Sequence, residues 1–87
     1  MAFWRIEFSR RACKEYQRLD ASLQRRINKV LGWLAEGQKV DFKPVKGREG
    51  VYRLRVGKYR LLLKLLREEG VILIARIASR GEVYKKL

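Results

Sequence analysis

The chain has 87 residues and a mass of 10.3 kDa, enough for one domain and too little for two, because domains mostly hold about 100 residues or more. Hydrophobic residues make up 47% and charged residues 36%, which supplies a core and excludes a disordered tail. Against 9 Asp and Glu stand 22 Lys and Arg, a net charge of +13, and such a field gathers polyanions, nucleic acid first and an acidic protein second.

Chain order begins with Phe3 to Phe8, whose alternation predicts a strand with Trp4, Ile6 and Phe8 on one face. Ser9 then stands where a helix wants its N-cap, ahead of apolar positions Ala12, Tyr16 and Leu19. Asp20 caps a second helix whose stripe is Leu23, Ile27, Val30, Leu31 and Leu34, and Gly37 supplies its left-handed end. The opposite face of this helix carries Arg25, Arg26 and Lys29, open to two readings: a solvated face or an RNA contact. Trp33 falls off the stripe, so it is either core-edge packing or an exposed anchor for a partner segment.

Gln38 to Gly50 holds the only proline, Pro44, together with Gly47 and Gly50, and is expected to be a connecting loop with some extended structure. From Val51 the period changes to two. Arg53 and Arg55 share a side with Val51, while Tyr52, Leu54 and Val56 take the other. Gly57-Lys58 fits a two-residue type II′ turn. The returning strand sets Tyr59, Leu61, Leu63 and Leu65 against Arg60, Leu62, Lys64 and Leu66, and Val71 to Ser79 forms a last, largely apolar strand that Arg76 interrupts. The expected fold is a single α+β domain over residues 1–87, in the order β-α-α-β-β-β. Two antiparallel helices pack on one face of a mostly antiparallel four-stranded sheet.

The absences narrow the chemistry. With no His and one Cys, Cys13, the sequence has no His/Cys zinc site, no Ser/His/Asp or Cys/His nucleophile system and no disulfide framework, so no metal and no cofactor are expected. A lone thiol suits a reducing cytoplasm. No apolar stretch is long enough for a membrane span, and Met1 to Phe8 lacks the apolar centre of a signal peptide. The expected location is therefore cytoplasmic, away from membranes.

Period-two counting gathers Arg53, Arg55, Arg60, Arg76 and Arg80 on the sheet face left free by the helices. Massed guanidiniums repel one another, and a polyanion offsets that cost. Arginine's planar fork binds phosphate oxygens in pairs and can meet charge growing on a pentacoordinate phosphorus. The plainer reading is a set of separate surface arginines on one strand face.

Four stretches carry a resemblance: the opening strand and helix through Phe8-Ser9, Lys43-Pro44-Val45-Lys46-Gly47, Tyr52 to Arg60, and Ile77 to Tyr84. The third reads Y-R-x-R-x-G-x-Y-R and the fourth contains R-x-E-V-Y. In order and length the sequence resembles the RelE/ParE superfamily of type II toxin–antitoxin toxins, and its RelE-like branch in particular. The resemblance implies a ribosome-dependent mRNA interferase that cuts the A-site codon by 2′-hydroxyl attack on the adjacent phosphate. It implies catalytic roles for Arg53, Arg55, Arg60, Arg80 and Tyr84. Arg60 and Arg80 would hold the scissile phosphate, Arg53 and Arg55 would align the backbone, and Tyr84 would stack on a base or move a proton. Lys46, Arg76, Lys85, Arg25 and Arg26 are the expected RNA-binding residues, and Trp33 the antitoxin-binding one. The implied partners are a cognate antitoxin, the ribosome and mRNA. A ParE-like gyrase inhibitor that cuts nothing, and a catalytically silent RNA- or ribosome-binding domain, are the alternatives.

Overall fold

The computed structural model describes residues 4–79. Its first strand, β1 (Arg5–Phe8), turns Ile6 and Phe8, along with the preceding Trp4, towards the core, while Arg5 and Glu7 pair with each other at 2.9 Å outside it. Helix α1 (Arg10–Gln17) starts where expected, because the Ser9 hydroxyl accepts the Ala12 N–H at 3.0 Å. Helix α2 (Ala21–Ala35) begins with the Asp20 carboxylate accepting the Leu23 N–H at 2.8 Å. Its end is a Schellman closure: Gly37, at φ +80°, donates to the Leu34 carbonyl and Gln38 donates to that of Trp33. Tyr16 joins the helices, its hydroxyl donating to Asn28 and its carbonyl accepting from Gln24, each at 2.8 Å.

The remaining elements are β2 (Phe42–Pro44), β3 (Val51–Val56), β4 (Tyr59–Leu66) and β5 (Val71–Ser79). They form one five-stranded sheet in the order β1-β5-β4-β3-β2, with β1 parallel to β5 and the other pairings antiparallel. The expected sheet of four strands is thus one short. The addition is β2, which lies inside the expected loop and pairs Phe42, Lys43 and Pro44 with Leu54, Arg53 and Tyr52. Three residues are too few to show a period, and a proline lacking its N–H is tolerated only at a sheet edge, which is where β2 lies.

One face of the sheet carries the core. Ala12, Ile27 and Leu31 from the helices meet Leu54, Val56, Leu61, Leu63, Ile72, Ile74 and Ile77 from the strands. Full burial of a residue such as Ile27 stabilises by about 1.5–3 kcal/mol. The other face has a small apolar cluster, Leu62 and Ala78 against Val45 and Val51.

The β3–β4 connection is a two-residue turn closed by the Val56–Tyr59 pair. Gly57 has φ +60° and Lys58 has a negative φ, since among the described residues only glycines are positive. That combination excludes type I′ and matches the predicted type II′.

Strand β5 is bulged. Leu62 faces Arg76 but Leu63 faces Ile74, so Ala75 has no partner on β4. The extra residue resets the alternation and lets Ile72, Ile74 and Ile77 all join the core. Beyond Ile74, β1 no longer covers the edge of β5, and α1 satisfies it instead. Ser9 donates from its N–H to the Ile74 carbonyl and from its hydroxyl to that of Ala75, each at 2.9 Å, while the Glu15 carboxylate accepts the Ile77 N–H at 2.7 Å.

Candidate nucleic-acid interface

The tight turn determines which cations meet. Because the loop holds two residues, Arg55 stands directly opposite Arg60 in the β3–β4 ladder. Like charges at such positions oppose strand pairing by several tenths of a kcal/mol or more. They share an open depression of about 400 Å³ lined by Arg55, Gly57, Lys58, Tyr59, Arg60 and Ser79. Among the described residues no carboxylate lines it, and three cationic side chains, those of Arg55, Lys58 and Arg60, face a common space. Arg60 is half-buried, and its Nε is buried with no hydrogen-bond partner among the described residues. A buried donor left in that state costs about 1–3 kcal/mol, and a phosphate oxygen is a suitable acceptor for it.

Two of the expected arginines are drawn away from this depression. Arg53 Nη1 lies 3.2 Å from Asp41 Oδ1, with only 20% of its side chain exposed. Arg76 is 7% exposed and is held by Glu15 Oε2, at 3.1 Å from Nη2 and 3.3 Å from Nε. Arg76 was expected to bind RNA; in the structure its buried guanidinium is paired to a carboxylate and clamps β5 to α1. Arg53 likewise spends its guanidinium on a carboxylate outside the depression. Both partners, Asp41 and Glu15, are distant from their arginines in sequence, and no local pattern announced them.

Lys46 is exposed on the loop after β2, outside the depression. Arg25 and Arg26 are exposed on α2. The Arg26 guanidinium packs over the hairpin turn, its Nη1 being 3.3 Å from where a Cβ on Gly57 would stand. Trp33 is 41% exposed, the one large hydrophobic so exposed among the described residues, and Lys29 Nζ lies 5.9 Å from its ring centre. Arg80, Tyr84 and Lys85 lie outside the described residues. Four lining residues were missed as site residues: Gly57 and Lys58, read only as the turn, Tyr59, read only as a strand residue, and Ser79. The available signal was position, since any residue at the tip of a hairpin flanked by Arg55 and Arg60 borders the space between them.

A family described as the ParE toxin of type II toxin–antitoxin systems matches residues 6–84. The chain belongs to this toxin family. Its relatives put it on the RelE-like branch of the RelE/ParE superfamily. It is 30% identical over 84 residues to the putative toxin RelE1 of Methanocaldococcus jannaschii, covering 92% of this chain and 93% of that protein. With the mRNA interferase toxin RelE of Escherichia coli it shares 27% identity over 90 residues, covering 99% and 94%. The fold superposes on the isolated E. coli RelE toxin with a TM-score of 0.77 at 24% identity, over 98% of this chain and 94% of that one. A RelB–RelE antitoxin–toxin complex from Methanococcus jannaschii gives 0.76 at 22% identity, over 93% and 98%. These RelE toxins therefore share the architecture of two helices on a mostly antiparallel five-stranded sheet.

Proposed function

We propose that this RelE-family toxin is a ribosome-dependent mRNA interferase, and that the hairpin depression receives the scissile phosphate. The observation that carries the reading is the Arg55–Arg60 opposition in a space that no carboxylate lines among the described residues, with the buried Arg60 Nε unpartnered among them. The name of the E. coli relative, an mRNA interferase toxin, points to the same reaction. The RNA 2′-hydroxyl oxygen attacks phosphorus while its proton leaves to a base. The bond from phosphorus to the 5′-oxygen breaks, and that oxygen takes up a proton, leaving a 2′,3′-cyclic phosphate and a free 5′-hydroxyl.

Arg60, with Arg80, binds the phosphate and offsets the charge that grows on its oxygens; Arg55 and Lys58 align the backbone. Arginine stays protonated and cannot serve as the base; the resemblance to the RelE-like pattern offers Tyr84 for proton transfer or for stacking on a base. In this reading guanidinium groups do the work that a metal would do elsewhere. Lys46 and Lys85 are assigned to steering the backbone. Arg53 and Arg76, committed to Asp41 and Glu15, are left out of the phosphate contacts.

Solved relatives include RelB–RelE complexes, and a cognate antitoxin is the proposed protein partner of this chain. No helix among the described residues is long and apolar enough to cross a membrane, and mRNA on ribosomes places the proposed action in the cytoplasm. The family's ParE description favours one second reading, a gyrase inhibitor that cuts nothing.

The test is primer extension on an mRNA held in purified ribosomes with an empty A site, beside naked RNA. Wild type is compared with Arg60→Ala and Arg80→Ala, with and without a chelator. Cleavage within the A-site codon should require ribosomes, persist in the chelator and fall about 10²- to 10³-fold on loss of either donor. Absence of cleavage together with inhibition of gyrase supercoiling would establish the ParE-like reading instead.

A further inference from the structure

The phosphate depression does not end at the hairpin. Gly57, Lys58 and Tyr59, which form one of its walls, also form a wall of a second depression of about 330 Å³. Its other side is the start of α2, where Arg26 packs over Gly57. Arg26 then lines a third depression, about 570 Å³, with Arg25, Lys29, Val30 and Trp33. The three spaces are consecutive, each sharing residues with the next, and each is lined by cations. Among the described residues the one carboxylate along the path is Asp20, whose Oδ1 is occupied at 2.8 Å by the Leu23 N–H it caps.

We propose that this path is a second RNA-binding track, along which a single strand leaving the phosphate site rounds the hairpin turn, crosses α2 and stacks a base on Trp33. The proposal rests on the reading of the hairpin depression as an RNA phosphate site and names what flanks it. Helical spacing carries the geometry: Arg25, Lys29 and Trp33 lie four residues apart, and Arg26 lies three before Lys29, so all four share one face of α2. That face is opposite the buried Ile27 and Leu31.

Single-stranded nucleic acid is held by cations that follow the backbone and by aromatic rings on which bases stack. Trp33 meets the second requirement. It is 41% exposed, and Lys29, 5.9 Å from its centre, keeps a cation beside the ring. An aromatic that anchors a protein segment sits at the centre of a desolvated, apolar patch. Here the surroundings are cationic, with Val30 the only aliphatic lining residue among the described ones, and charge complementarity favours RNA.

The experiment measures the affinity of 2′-O-methylated, uncleavable single-stranded oligoribonucleotides of about four and about twelve nucleotides, lengths that bracket short and extended sites. Fluorescence anisotropy reads binding to the full chain, and the emission of Trp33 is followed in a Trp4→Phe background. The long oligomer should bind more tightly than the short one and quench Trp33, which the short one should not. Trp33→Ala should weaken the long oligomer by about 5- to 150-fold, the cost of one lost stack, and Trp33→Tyr should restore most of it. Arg25→Gln and Lys29→Gln should each lower the salt slope of the long oligomer by about 0.7, one phosphate contact on a single strand. Wild-type affinity of Trp33→Ala for the long oligomer, with short-oligomer binding intact and sensitive to Arg60→Ala, would overturn the track alone. Failure of wild type to bind either length would overturn the track, while the phosphate-site reading is decided separately by the loss of ribosomal cleavage in Arg60→Ala. Quenching of Trp33 by an acidic peptide but not by RNA would assign the face to a protein partner and overturn the proposal.

Discussion

Glu15 joins α1 to β5, and its removal tests how the arginine face is held in place. One carboxylate oxygen accepts the Ile77 N–H at 2.7 Å and the other accepts Arg76 Nε and Nη2 at 3.3 and 3.1 Å. The side chains are 20% and 9% exposed, so water does little of the screening that makes surface pairs weak. Arg76 Nη1 is already buried without a partner among the described residues. Glu15→Ala leaves a buried guanidinium unpaired and a strand N–H open, a change that costs about 3–5 kcal/mol. A domain of this length has a total stability of about 4–13 kcal/mol at 0.05–0.15 kcal/mol per residue. The loss is therefore a large share of the whole, lowering Tm by roughly 12–40 °C at 4–8 °C per kcal/mol.

Charge rather than shape is the cause, so Glu15→Gln, which keeps one acceptor, should lose less than Glu15→Ala. Adding Arg76→Met to Glu15→Gln should recover part of the loss, because the buried charge goes with it. Urea unfolding followed by far-ultraviolet circular dichroism, carried through the full double-mutant cycle, measures the coupling. A loss below about 1 kcal/mol for Glu15→Ala, or no recovery in the double variant, would refute the reasoning and mean that the guanidinium reaches water when its partner is gone.

Other outcomes follow from the same geometry. Gly57→Ala places a side chain at φ +60° and 3.3 Å from the Arg26 guanidinium, so it should cost about 1–2 kcal/mol in urea unfolding, and Gly57→Asn should cost less. Ser9→Ala removes both the α1 cap and the bond to the Ala75 carbonyl, with an expected loss of about 1–2 kcal/mol, measurable as a fall in the urea midpoint without a change in slope. Arg53→Met breaks a pair whose Asp41 side chain is 43% exposed; its stability should change by less than about 1 kcal/mol. In the ribosome cleavage assay the same variant should lose far less rate than Arg60→Ala.

The sequence by itself determined the local geometry of this protein. A two-residue turn leaves one register for its strands, so Gly57-Lys58 was enough to set Arg55 opposite Arg60. Ser9, Asp20 and Gly37 marked the helix ends because a cap needs a side chain or a backbone freedom that few residues supply. The other features depend on residues far apart in the chain. β2 became a strand because β3 presented an edge to three residues whose own pattern is silent. The bulge at Ala75 let three isoleucines reach one core. Arg53 and Arg76 left the anion face because Asp41 and Glu15, 12 and 61 positions away, reach their guanidiniums. Period counting treats arginines on a strand as equivalent, whereas a guanidinium's availability depends on whether folding brings a carboxylate to it.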